Sequence, residues 1–274
     1  MMKVGILIVL TKEPYACIEK ASKQGFDNGQ ISVWDMSLYN DEVVSELKRA
    51  CEDFNFTITA VWCGWSGPCV WKYPECYVTL GLVPSAWRAV RTNDLLKGAE
   101  FARKLGVRDI ITHMGYLPDS PYHPDNLGVR EAIRYICKEL KKHGQNFLFE
   151  TGEELPITLH YMMKEVGYEN WGINFDPANL IMNGRGASPV AALKFLLPYI
   201  KGFHAKDALS ATADNFFKKE VPCGEGDADM PTLISILKES GYDGSLTIEY
   251  EVNTAQEERE AQLSKIKSYL EALI

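Results

Sequence analysis

The chain has 274 residues, 46% of them hydrophobic, which is enough for one large core and too short for two ordinary domains. A formal net charge of −8 argues against the basic surface that nucleic-acid binding needs, and no apolar run approaches the roughly 18 residues of a membrane span. Seven dispersed cysteines without a CxxC pair argue against a disulfide framework or a structural zinc site and fit a reducing cytoplasm.

In chain order, MMKVGILIVL passes directly into TKEPY without a small-residue cleavage site, so it reads as a first buried strand and not as a signal peptide. Further short apolar runs follow at GQISVWD (29–35), FTITAVW (56–62), VRDIITHMG (107–115), QNFLFETG (145–152), WGINFDPAN (171–179), IKGFHAKD (200–207) and GSLTIEYEV (244–252). Their Val, Ile, Phe and Thr content suits strands buried on both faces of a parallel sheet. Between them lie stretches of helical period ending in glycine, at residues 95–106, 128–144, 158–167 and 231–241, and residues 255–274 form a closing amphipathic helix. Eight strands alternating with helices predict a single α/β domain over 1–274, a (β/α)8 TIM barrel. The interval from Cys63 to Asn93 is rich in Trp, Tyr, Pro, Cys and Gly and has no clear period. It reads either as a long loop over the barrel mouth or as a surface loop with its own aromatic cluster.

Active sites of such barrels lie at the C-terminal strand ends. Four late strands each finish on a residue able to bind metal: Glu150, Asp176, His204 and Glu249, separated by 26, 28 and 45 positions. Taken singly, a strand-end carboxylate can pair with Lys or Arg, an imidazole can be a hydrogen-bonded core group, and Asp176 before proline can cap a turn. Three carboxylates entering a dry interior beside one histidine together call for a divalent cation. Three hard oxygen donors and one nitrogen favour Mn²⁺ or Mg²⁺, with Co²⁺, Fe²⁺ or Zn²⁺ also open.

The motifs THMG (112–115), FETGEE (149–154), NFDPANLIMNG (174–184), FHAKDA (203–208) and PCGEGDADMPTLISILKESGYDGSLTIEYE (222–251) resemble the sugar phosphate isomerase/epimerase group of xylose-isomerase-like TIM barrels. That group includes D-tagatose 3-epimerase and L-ribulose-5-phosphate 3-epimerase. The resemblance implies one metal on Glu150, Asp176, His204 and Glu249, with Glu150 and Glu249 doubling as the acid/base pair. It implies a small sugar or sugar phosphate as partner, and a homodimer or homotetramer is a fair expectation for the group. Among supporting residues, His113 is expected to hydrogen-bond a substrate oxygen or Glu150. Lys206 holds a hydroxyl or phosphate, or else pairs with Glu225 or Asp207. Glu225 binds substrate or orders its loop, and Arg185 is the nearby arginine for a phosphate or is solvated. His123, His143 and His160 read as surface residues.

Two departures bound the resemblance. The trinuclear-zinc apurinic endonucleases share this barrel, but this chain has Asn179 where they carry a histidine and lacks their DxH pair ahead of GEG. The segment ALSATADNFFKKEVPC has Lys218 and Lys219 but no arginine, unlike the 3-epimerases of free ketoses, which leaves aldose–ketose isomerisation or a related lyase or dehydratase step open. A sugar-binding barrel that has lost catalysis is the non-enzyme alternative, and the intact ligand set argues against it.

Overall fold

A computed structural model describes residues 2–72, 74–152, 154–182, 186–212 and 219–274. The strands are β1 (Lys3–Val9), β2 (Asn28–Val33), β3 (Thr57–Cys63), β4 (Asp109–Thr112), β5 (Asn146–Glu150), β6 (Trp171–Phe175), β7 (Ile200–Ala205), β8 (Asp207–Leu209), β9 (Lys219–Val221) and β10 (Ser245–Ile248). Eight of them close a parallel barrel in the order β1-β10-β7-β6-β5-β4-β3-β2, as the alternating sequence pattern predicts. The antiparallel pair β8–β9, which no sequence signal announces, forms a separate ribbon beyond β7.

The helices are α1 (Pro14–Lys23), α2 (Asp41–Phe54), α3 (Cys76–Thr79), α4 (Ser85–Leu105), α5 (Pro124–Lys141), α6 (Pro156–Val166), α7 (Pro177–Met182), α8 (Pro189–Leu196), α9 (Met230–Glu239) and α10 (Gln256–Leu273). Proline stands in the first turn of α1, α5, α6, α8 and α9, where its missing N–H costs nothing. Among the described residues, no helix is long and apolar enough to cross a membrane.

Strand alternation divides the side chains into two sets. Ile6, Ile31, Val61, Ile110, Phe147, Phe149, Ile173, Phe203 and Leu246 join the large core shared with the helices. Leu7, Ala60, Trp62, Ile111 and Leu148 form a second cluster with Trp65, Cys76, Leu80 and Tyr116. The buried strand residues Asn28, Gln30, Ser32, Asn174 and Thr247 belong to the same alternate positions, so the barrel interior mixes apolar and amide groups.

The interval read as irregular to Asn93 becomes α4 from Ser85 onward. The helical period is obscured because the first turns of α4 face the preceding loop. Arg91, fully buried, donates to the carbonyls of Ser66 (3.1 Å), Pro68 (2.7 Å) and Gly81 (2.6 Å), and its guanidinium lies over the rings of Trp65 and Trp87. These bonds tie both ends of segment 66–81 to one side chain. Gly81, at φ +62, sits so close to the Met114 backbone that a Cβ would lie 2.1 Å from it. The described ends of the segment are thereby held beside the C-terminal ends of β3 and β4, where Trp65 and Cys76 are buried and Trp71 and Tyr77 stay exposed.

Replacing Arg91 with Met should destabilise the protein by about 3 kcal/mol in urea unfolding, since three carbonyls, that of Gly81 buried, lose a charged donor. Limited proteolysis should then cut within residues 66–81 first.

Candidate metal centre

Glu150 is the last residue of β5, Asp176 follows β6, His204 lies near the end of β7, and Glu249 follows β10. One donor atom from each falls within 4.8 Å of the others, and Glu150, Asp176 and His204 are buried. His204 Nδ1 stands 2.8 Å from Glu249 Oε2, 3.3 Å from Glu150 Oε1 and 3.7 Å from Asp176 Oδ2. His204 Nδ1, Asp176 Oδ2 and Glu249 Oε2 crowd one point without an aligned hydrogen bond, an arrangement that suits ligands awaiting a cation.

The imidazole is oriented from behind. His204 Nε2 lies 2.8 Å from Gln30 Oε1, and Gln30 Nε2 donates to Asn174 Oδ1 at 3.1 Å. With the Gln30 oxygen accepting, Nε2 carries hydrogen and Nδ1 faces the carboxylates. Gly202 makes room for this chain, because a Cβ there would lie 2.2 Å from Asn174 Oδ1.

Glu150 is held on both oxygens. Trp62 Nε1–H donates to Oε2, Asn179 Nδ2 donates to Oε1 at 3.1 Å, and His113 Nε2 lies 3.4 Å from Oε1. Asp176 accepts the Asn179 peptide N–H on Oδ1 at 2.9 Å. Thr151 Oγ1 locks the Asp176 backbone, accepting its N–H at 2.7 Å and donating to its carbonyl at 2.9 Å. Lys206 is buried, with Nζ 3.3 Å from Glu249 Oε1 and 2.7 Å from Glu251 Oε2.

Burial and mutual repulsion compete with these contacts. Burial pushes Asp176 up to about 6 against the pull of His204 and Lys206. The same desolvation opposes charge on Glu249, but Lys206 and His204 outweigh it and bring the group down to about 2. Glu150 is likewise held below the usual carboxylate range, with burial overcome by His204 and His113. Burial alone would strip His204 of its proton, yet Glu150 and Glu249 raise it well above the ordinary imidazole value. Without a cation, a proton therefore occupies the ligand nitrogen. The three carboxylates and Lys206 leave two negative charges, which one divalent ion cancels once His204 is neutral.

The sequence-predicted residues divide clearly. Glu150, Asp176, His204 and Glu249 come together, with His113 against Glu150. Lys206 also belongs to the cluster, but its partners are Glu249 and Glu251 and not Glu225 or Asp207. Glu225 lies exposed on its turn. Asp207 orders that loop, accepting the N–H groups of Ala208, Gly224, Gly226 and Ala228 at 2.9 to 3.1 Å. Arg185 and Lys218 lie outside the described residues. Of the remaining histidines, His143 is exposed, His123 caps α5 and His160 is half-buried beside Tyr199. Sequence reasoning missed Gln30, Trp62 and the Asn179 amide. A glutamine inside the buried run GQISV was the available signal for the first.

The chain belongs to the family of xylose isomerase-like TIM barrels, which it matches over residues 18–272. It is 27% identical over 265 residues to L-ribulose-5-phosphate 3-epimerase UlaE of Escherichia coli, an alignment covering 93% of this chain and 88% of that protein. A xylose isomerase domain protein from Planctomyces limnophilus superposes with a TM-score of 0.91 at 28% identity, covering 99% of this chain and 97% of the other. A D-tagatose 3-epimerase-like protein superposes at 0.75 with 20% identity, covering 99% and 98%.

Because the raised His204 holds a proton that a metal must displace, Mn²⁺ affinity should fall as pH falls. Asp176, near 6, adds a second competing proton in acid. Calorimetric titration should show about one proton displaced per ion near pH 7 and about two below pH 6. Gln30→Leu should weaken Mn²⁺ binding by roughly 10- to 100-fold by releasing the imidazole.

Proposed function

We propose that this chain, with residues 1–274 acting as one barrel domain, is a metal-dependent epimerase or isomerase of a small sugar or sugar phosphate. The observation that carries the reading is the convergence of Glu150, Asp176, His204 and Glu249, with three donor atoms turned inward and no aligned partner. The family and the epimerase relatives support the substrate class. The donor set fits Mn²⁺ or Mg²⁺ best and also accepts Co²⁺, Fe²⁺ or Zn²⁺.

Moving hydrogen beside a carbonyl requires a base, an acid and stabilisation of the enediolate between them. A divalent ion bound here would act as a Lewis acid for the charge developing on two adjacent substrate oxygens. Glu150 and Glu249 stand at the ends of β5 and β10, three places apart around the barrel, so they approach a ligand from two sides. In this reading one removes a proton from carbon and the other returns one. Trp62, Asn179 and His113 hold the Glu150 carboxylate by both oxygens, while Lys206 keeps Glu249 ionised. His113 therefore acts through Glu150 in the ground state. Asn179 serves Glu150 as an amide donor, which a zinc-binding histidine at that position would not provide. Carbon-acid chemistry at one metal is favoured over phosphodiester cleavage for that reason.

Protein reconstituted with Mn²⁺ in D₂O should incorporate deuterium beside the carbonyl of at least one ketose or ketose phosphate. Glu150→Gln and Glu249→Gln should each lower turnover by at least about 10³-fold, in the range for removing an acid/base group. Absence of exchange with every sugar despite bound metal contradicts the reading, and full activity in either variant contradicts the two-carboxylate assignment.

A further inference from the structure

Lys206 is the single residue between β7, which carries His204, and β8, the first strand of the antiparallel ribbon. The ribbon therefore stands over the C-terminal end of β7, whose barrel neighbours are β6 and β10. On the β6 side both ribbon strands pack against α7, the helix of Asn179. On the β10 side one side chain makes the connection. Glu220, half-buried in the middle of β9 and paired with Ala208, accepts the peptide N–H of Glu251 on Oε1 at 2.7 Å.

That bond falls where the barrel ladder runs out. β10 ends at Ile248, and the Glu249 N–H is held by a long bond to the Ala205 carbonyl, at 3.4 Å. Tyr250 turns into the core shared with the helices, so alternation brings Glu249 and Glu251 to the mouth together. For Glu251 a carboxylate takes the place of a ladder carbonyl, and a charged acceptor makes the stronger bond.

The anchored residue is tied to the metal ligand twice. Along the chain it lies two positions after Glu249. Through side chains, Glu251 Oε2 takes Lys206 Nζ at 2.7 Å, and the same Nζ lies 3.3 Å from Glu249 Oε1. Glu220 thus fixes both the backbone that carries Glu249 and the residue that shares its lysine. The ribbon gives it a firm base. Asp207, opposite Val221, binds four N–H groups of the ribbon and of the turn that follows it. Lys206 already has two carboxylates in contact, so what Glu220 adds is an acceptor at the right reach and not a further charge.

Resting on the epimerase reading above, we infer that Glu220 is a positioning residue for Glu249. Its bond to the Glu251 N–H holds the segment after β10 in the place from which Glu249 serves as ligand and as acid/base group.

Two substitutions separate reach from charge. Glu220→Asp keeps the charge on a side chain one methylene too short for the bond. Glu220→Gln keeps the acceptor oxygen at full length and loses the charge. Mn²⁺ is titrated calorimetrically into wild type, these variants and Glu220→Ala, and deuterium exchange into ketoses and ketose phosphates is followed at saturating Mn²⁺. Glu220→Asp and Glu220→Ala should bind Mn²⁺ about tenfold more weakly, as loss of a partner behind a ligand does. Both should lower kcat by about tenfold with KM within about threefold, and Glu220→Gln should stay within about threefold of wild type throughout.

Wild-type Mn²⁺ affinity and kcat in Glu220→Asp overturn the inference. So does a Glu220→Gln variant that falls as far as Glu220→Ala, because the role is then one of charge. A rise in KM alone overturns it as well, since it moves Glu220 to the substrate. Wild-type protein that binds Mn²⁺ but exchanges no sugar removes the epimerase reading, and the affinity series then decides the positioning role by itself. Exchange undiminished in Glu220→Asp removes the positioning role and leaves the epimerase reading standing.

Discussion

Three carboxylates placed around one imidazole nitrogen, at a depth where water cannot screen them, set the terms for the rest of this structure. Uncompensated, such a group would repel itself or take up protons. The barrel answers with fixed dipoles and one fixed cation. Asn179 serves Glu150 and Asp176 at once, Trp62 takes the second oxygen of Glu150, and Lys206 neutralises Glu249. Each donor comes from a different strand end or from the segment that follows one, Asn179 lying in α7 after β6. The closed parallel barrel is what allows all of them to face one point.

The same constraint reaches down into the barrel. A hydrocarbon interior would leave His204 free to rotate. Instead, Gln30 and Asn174 run a hydrogen-bonded line across the core to Nε2, and Gly202 leaves space for it. The line engages both ends of the Gln30 amide, so it also constrains strand register. At the mouth the two sides diverge. The late strands present charge, and the early strands present indole rings held in place by Arg91 and Gly64.

Much of this was legible in the residues. Eight short apolar runs separated by helical stretches identify the barrel, and a polar residue closing each of four consecutive late runs identifies the ligands. Strand alternation also brings Lys206 to the same side as His204. What could not be read was partnership. Lys206 pairs with Glu249 and Glu251, residues more than forty positions away, whereas sequence proximity suggested Asp207 or Glu225. Gln30 and Trp62 looked like ordinary strand residues because their roles depend on contacts across the barrel. Asn179 was noted for the histidine it replaces, and its bond to Glu150 depends on the turn from β6 into α7. The start of α4 was hidden for a related reason: Trp87 and Arg91 face a loop, so the usual apolar period is missing there.

The central claim is that Glu150, Asp176, Glu249 and the Nδ1 of His204 hold one divalent ion. A crystal of the Mn²⁺-loaded protein, measured at the manganese edge, tests it most directly. A single anomalous peak is predicted among the four side chains, with contacts of about 2.0 to 2.3 Å to three carboxylates and to Nδ1, and with Gln30 still bonded to Nε2. A peak elsewhere, coordination through Nε2, or no peak at saturating Mn²⁺ would contradict the account.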